Sequence, residues 1–219
     1  MRSLDTQEMT YDRATGTVVM FGGIKDASQD VLGDPWTWDG KARTWSQKFP
    51  ASSPSPRRAP LAYDGVTGTV VLFGGEQPRT GALFSDTWTW DGTTWTQQFP
   101  AASPAARSCA GIAYDASNQL VLLFGGQDSP VEFNDTWAWD GTNWAQLRPL
   151  SVPGVRYCMA LDYDSLAHGL VLFGGYGINQ TLGDTWLFIP FRRYPDMNRS
   201  QPPAGPAFKH HCTRQPLSG

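Results

Sequence analysis

"DTWTWDGTTWTQQFPAASPAAR", residues 86–107, places two tryptophans two residues apart, an Asp-Gly pair, a third tryptophan and a proline-bearing connector that ends in arginine. Side chains two apart lie on one face of a strand, so Trp88 and Trp90 point the same way. Asp-Gly accepts the positive φ angles of a tight turn. The stretch therefore reads as a β-hairpin with an aromatic face, followed by a loop.

The hairpin is one part of a longer period. Tyr-Asp occurs with Tyr at 11, 63, 114 and 163, and Phe-Gly-Gly follows ten residues later at Phe21, Phe73, Phe124 and Phe173. The Asp-x-Trp signal returns as Trp36, Trp88, Trp137 and Trp186, and a lone tryptophan as Trp45, Trp95 and Trp144. Arginine follows that lone tryptophan by twelve residues, at Arg57, Arg107 and Arg156. Tyr-to-Tyr spacings of 52, 51 and 49 residues keep these landmarks in register, which is the signature of a repeat architecture.

Within one period the chain offers four strands. "RSCAGIAYD" is a first strand, "DASNQ" a turn, and "LVLLFGG" a second strand rich in large and β-branched residues. A dissimilar stretch follows, then "DTWAWD", the Asp-Gly turn and "NWAQL". Four consecutive antiparallel strands per period describe a propeller blade. The predicted fold is all-β, with about four four-stranded antiparallel blades over residues 1–189, at about 1–50, 51–100, 101–150 and 151–189.

The Arg-bearing first strand, the strand ending in Gly-Gly, the Trp-bearing third strand and the lone Trp, at a period near 50, resemble the kelch repeat. The "DTWTWDG" form looks like kelch-type arrays of bacterial proteins, which are often parts of larger extracytoplasmic chains. The resemblance implies a kelch-type β-propeller and an interaction scaffold without catalysis or cofactor, binding a protein or a surface glycan. It also names the natural enzyme alternative, a carbohydrate-active or galactose-oxidase-like site at the propeller channel. The copper ligands of that enzyme have no identifiable counterparts here.

The repeated residues read as scaffold. Gly74-Gly75 lacks the Lys and Ser spacing of a phosphate loop, and a sharply ending strand calls for residues without a Cβ. The tryptophans suit packing between neighbouring sheets. Asp86, Asp135 and Asp184 read as turn residues accepting a backbone N–H, as do Asp64, Asp115 and Asp164. Arg107 and Arg156 carry two readings: a guanidinium tying a loop by its carbonyls, or, as the resemblance implies, one displayed near a ligand-binding mouth. His168, His210 and His211 are not repeated and define no triad, and "KHHC" (209–212) sits in a polar tail with nothing to fix it as a metal site.

Turns between strands one and two, and three and four, are short and alike. The dissimilar segments 24–33, 76–85, 127–134 and 176–183 fall on the opposite side, and loops on a rigid scaffold are where binding residues diverge. Candidate ligand-contacting residues on or beside them are Arg58, Arg79, Arg107, Glu132, Arg156, Tyr176 and Asn179.

After Trp186 the pattern breaks. No Asp-Gly hairpin or lone tryptophan follows, and the proline-rich residues 190–219 read as an irregular or disordered tail. An incomplete ring leaves Trp-rich sheet faces uncovered. The chain is thus a fragment of a larger propeller, a self-associating unit or a closed four-bladed ring.

Composition narrows the partners. Net charge is −3, and the 17 Lys and Arg form no basic stripe, so nucleic acid is not expected. Apolar runs of about five residues fall far short of a membrane span. The first fifteen residues lack the apolar region of a signal peptide, which predicts a soluble chain, cytoplasmic as it stands and extracytoplasmic if part of a larger secreted protein. Cys109, Cys158 and Cys212 fit no zinc spacing; the first two are expected at equivalent places on the first strands of adjacent blades.

Overall fold

The computed structural model describes residues 8–24 and 30–189, and the backbone of 211–215. The regular elements among them are all strands, and no helix among the described residues is long and apolar enough to cross a membrane. Four antiparallel four-stranded sheets follow one another in the chain, each with its strands hydrogen-bonded in sequence order. These are the blades of a β-propeller, as the repeat predicts.

Blade 1 comprises Glu8–Asp12, Thr17–Phe21, Pro35–Asp39 and Thr44–Gln47. Blade 2 comprises Leu61–Asp64, Thr69–Phe73, Thr87–Trp90 and Trp95–Gln98. Blade 3 comprises Gly111–Asp115, Leu120–Phe124, Thr136–Trp139 and Trp144–Leu147. Blade 4 comprises Ala160–Asp164, Gly169–Phe173, Thr185–Ile189 and His211–Gln215. Of the expected irregular tail, 190–210 and 216–219 lie outside the described residues. Residues 211–215 instead pair with Thr185–Ile189, and Cys212 stands opposite Phe188 where blades 2 and 3 oppose two tryptophans.

The chain divides into two compact units. One is Met1–Pro100 with Ala105–Cys109, holding blades 1 and 2; the other is Ala101–Pro104 with Ala110–Gly219, holding blades 3 and 4. In the first unit Val19 and Phe21 of blade 1 are buried against Leu61, Val70, Leu72, Trp88, Trp90 and Trp95 of blade 2. Cross-strand register puts the blade 2 residues on one face: Val70 opposes Trp90, Leu72 opposes Trp88, and Trp90 opposes Trp95. The Trp95 ring meets Phe21 edge-on at 5.4 Å, the geometry aromatic quadrupoles favour. In the second unit Leu120, Leu122 and Ala138 of blade 3 pack with Leu170 and Phe188 of blade 4, while Phe124 meets Leu172.

The turn after the first strand is built the same way in every blade. The carboxylates of Asp12, Asp64, Asp115 and Asp164 accept the N–H groups two and three residues on, as expected for three of them from the sequence. Burial pushes the Asp115 carboxyl up, against the downward pull of its bonds from Asn118 and Ser117. Each turn closes on a residue with positive φ: Gly16, Gly68, Gln119 and His168. His168 therefore fills a backbone role that glycine fills in the first two blades.

Candidate functional site

The arginines come first, because they join blades. Arg57 Nε donates to Ser55 O at 3.0 Å and its Nη1 to Gly74 O at 3.2 Å and to the Asp86 carboxylate. Its main chain faces the preceding blade, with Arg57 N donating to Leu32 O and Gly23 N to Arg57 O. Its guanidinium lies 3.6 Å from the centre of the Phe84 ring, a favourable cation–π placement. Arg156 repeats this in the second unit, donating to Gly154 O, Gly174 O and, through two nitrogens at 2.7 and 3.1 Å, to Asp184.

Arg57, Arg107 and Arg156 are 2%, 1% and 2% exposed. Of the two readings of Arg107 and Arg156, the loop-tying one describes their contacts: Arg107 Nε donates to Ala105 O, and Gly75 N donates to Arg107 O. A buried guanidinium is sustainable only when its donors are met, and here carbonyls and a carboxylate meet them.

The Asp-x-Trp aspartates differ from their expected role. In all four blades the second carboxylate oxygen accepts the indole N–H two residues on, at 2.7 Å. In blades 2 and 4 the first oxygen accepts the arginine located 29 and 28 residues upstream. The motif is thus a link from guanidinium through carboxylate to indole rather than a turn. Arg156's bonds hold the Asp184 carboxyl down at about 2, aided by the Trp186 N–H and opposed by burial.

The Gly-Gly pair explains itself by contact. Its four copies hold nearly the same left-handed angles, φ 60–68° then 93–97°. A Cβ on Gly22 would sit 2.1 Å from Arg57 O, so the next blade's entry segment could not approach; a Cβ on Gly75 would sit 2.1 Å from Arg58 O, in its own blade's entry segment. No anion needs to be invoked.

Beyond each Gly-Gly in blades 2–4 the dissimilar segments form two-stranded ribbons: Glu76–Gln77 with Ala82–Leu83, Gln127–Asp128 with Val131–Glu132, and Tyr176–Gly177 with Gln180–Thr181. In blade 1 the described residues give a bridge from Ile24 to Val31. In the first unit Arg79, at the tip of its ribbon, pairs with Asp30 at 2.9 Å, with both side chains well exposed. Such a pair contributes little to stability.

In blades 2 and 4 the residue after the clamping arginine joins the residue after Gly-Gly. Arg58 bridges Glu76 and Tyr157 bridges Tyr176 through identical reciprocal backbone bonds of 2.9 Å. The side chains on these two bridges are unlike. Arg58 and Glu76 form an ion pair, whereas Tyr157 and Tyr176 stack with ring centres 5.8 Å apart. One frame carries two chemistries.

The stacked pair has an unusual neighbour. Ile178 and Asn179 form the corner of the 176–181 ribbon, with φ 48° and 60°. A β-branched residue there is an outlier, costing on the order of 1–2 kcal/mol, and Ile178 is 71% exposed. Glu132 of the adjoining ribbon holds the corner by accepting Ile178 N–H at 2.9 Å. Gly177 fits below, where a Cβ would lie 2.2 Å from Val155 O. Strained and exposed residues held by specific bonds are a mark of functional loops.

Of the candidate residues, Tyr176, Asn179 and Glu132 thus converge on the blade 4 ribbon. Arg58 and Arg79 belong to the blade 1–2 unit, and Arg107 and Arg156 are interior. Sequence reasoning passed over Tyr157 and Ile178. Tyr157 could have been found by comparing the residue after each repeated arginine, which reads Arg58, Ser108 and Tyr157. Ile178 gave no signal, because isoleucine is disfavoured where it stands.

Cys109 and Cys158 do hold equivalent places, but in a bend before the first strand rather than on it, with φ 53° and 52°. Among the described residues no three His, Cys, Asp or Glu side chains group to hold a metal ion. A solvent-open crevice in the second unit is lined by Leu122, Phe124, Leu161, Leu172, Trp186 and Phe188, beneath the 149–153 connection. It lies against the sheet in which Cys212 replaces a tryptophan, and its lining offers burial but no acid–base chemistry.

No protein-family model and no curated protein matches the chain. The residues themselves carry the functional argument.

Proposed function

We propose that the protein is a non-catalytic binding scaffold of the kelch-repeat kind, whose ribbons after Gly-Gly recognise a protein or a surface glycan. The observation that supports this reading is the pair of equivalent bridges, ion-paired at Arg58–Glu76 and aromatic at Tyr157–Tyr176, on clamps that otherwise repeat. Conserving a frame while changing its side chains is how loop-bearing scaffolds acquire specificity. Tyr176, 49% exposed and stacked on Tyr157, offers a ring face suited to a sugar or an apolar side chain.

Binding of the full chain to an immobilised glycan panel and to a displayed random-peptide library tests this. Tyr176→Ala and Ile178→Gly should each weaken any captured ligand at least tenfold without a matching loss of stability, Ile178→Gly raising the melting temperature slightly by relieving its left-handed strain. Ligands retained after residues 76–85, 127–134 and 176–183 are replaced by Gly-Ser would contradict it.

A further inference from the structure

The ribbons of the two units differ in charge balance. In the first unit Glu76 pairs with Arg58, and the tip cation Arg79 pairs with Asp30. In the second unit the segments 127–134 and 176–183 hold two carboxylates, Asp128 and Glu132, and no lysine, arginine or histidine. Among the described residues no cation forms an ion pair with either.

Glu132 is nonetheless fixed in place. Its Oε2 accepts the Ile178 N–H at 2.9 Å, which sets a carboxylate against the corner of the neighbouring ribbon. Two residues before Ile178 stands Tyr176, half exposed, its ring seated on Tyr157 with 27° between the planes. A left-handed corner favours glycine, and here Ile178 holds it with φ 48°. What the isoleucine adds is an aliphatic group set out in water close to an aromatic ring. Sugar hydroxyls gain no hydrogen bond from that group, whereas an apolar side chain of a protein would bury it favourably. The unpaired carboxylate beside it calls for a cation. The Tyr157 ring and the Glu132 bond hold these groups before anything binds, which lowers the ordering cost of association.

We infer that the ribbons of blades 3 and 4 bind a protein segment that sets an aliphatic or aromatic side chain on Tyr176 and Ile178 and a neighbouring lysine or arginine against Glu132. This partner class rests on the reading of the ribbons as the binding surface and narrows it from a protein or glycan to a basic, apolar peptide.

Selection from a displayed random-peptide library on the full 219-residue chain, run beside the glycan panel, tests this. Captured peptides are expected to carry Lys or Arg within a few residues of Leu, Ile, Phe or Trp, and their binding should weaken as salt is raised. Glu132→Gln keeps an oxygen to accept the Ile178 N–H and removes only the charge. It should weaken binding about threefold, the scale of an exposed ion pair, with an unchanged melting temperature. Replacing the peptide's cation by methionine should weaken binding equally, and the two changes together should do no more than either alone. Ile178→Ser should weaken binding about tenfold. Captured peptides that lack a cation, or that bind Glu132→Gln as well as the natural chain, would overturn the inference; if Tyr176→Ala still weakened them, the ribbons would stand as the binding surface. Capture of glycans alone, lost with Tyr176→Ala, would likewise overturn the peptide partner and keep the ribbons. No capture from either collection, or capture that survives Gly-Ser replacement of both ribbons, would overturn both.

Discussion

Blades 1 and 2 carry the same tryptophan pair in the same geometry, yet Trp95 is 1% exposed and Trp45 is 41% exposed. The difference lies wholly outside the sheet. Cross-strand register fixes how the rings meet, and a neighbouring blade decides whether they leave water. Local geometry in this molecule is written in each repeat, whereas the stability drawn from it depends on the adjacent one.

Deleting each ring separates the two positions most strongly. Trp95→Ala is expected to destabilise by about 3–5 kcal/mol, as for a buried aromatic replaced by alanine. Trp45→Ala should cost about 1 kcal/mol or less in dilute chain. Urea titration of both variants reads the difference directly, and equal losses would dissolve the distinction between a covered and an uncovered face.

The clamps give the next largest effect. Arg57→Met removes the guanidinium partner of Asp86 and of Gly74 O, and should cost about 3 kcal/mol, in the range for breaking one side of a buried pair. In blade 1 Gln47 reaches Asp34 from an exposed position, so Gln47→Ala should change stability by less than about 1 kcal/mol.

Acid tests the same clamp in blade 4. The Asp184 carboxyl is held down from its ordinary 3.8 to about 2. A lowered folded-state value stabilises above the unfolded value, so the contribution is fully present above about pH 4 and fades as pH falls toward 2. Thermal melts from pH 5 to 2 should show this loss, and Asp184→Asn should flatten that part of the profile.

The smallest effect concerns the turns. His168 holds a left-handed slot filled by glycine in blades 1 and 2. His168→Gly relieves about 1–2 kcal/mol of left-handed strain and forfeits about 0.5–1 kcal/mol through backbone entropy. Stability should rise by up to about 1.5 kcal/mol in a urea titration.

These positions also show what the sequence made legible. Strand order, the Asp12-type turns and the Gly-Gly corners follow from short-range chemistry and could be seen in one repeat. Asp86 was misread because its partner Arg57 lies 29 residues away, beyond any local pattern. The last strand of blade 4 could not be anticipated, since 21 residues without alternation, 190–210, separate it from its neighbour. The aromatic character of the blade 4 bridge was half visible: Tyr176 stood out, while Tyr157 needed the column of residues beside the repeated arginines.

The clamps form a constant frame and the bridge side chains a replaceable part. The urea midpoint of Arg58→Tyr/Glu76→Tyr, which gives blade 2 the blade 4 pair, tests it most directly. A stability within about 1 kcal/mol of the natural chain is expected, near the scale of substitutions outside the core. A loss on the order of 3 kcal/mol, the scale of a broken buried pair, would show that the ion pair belongs to the frame and would contradict the claim.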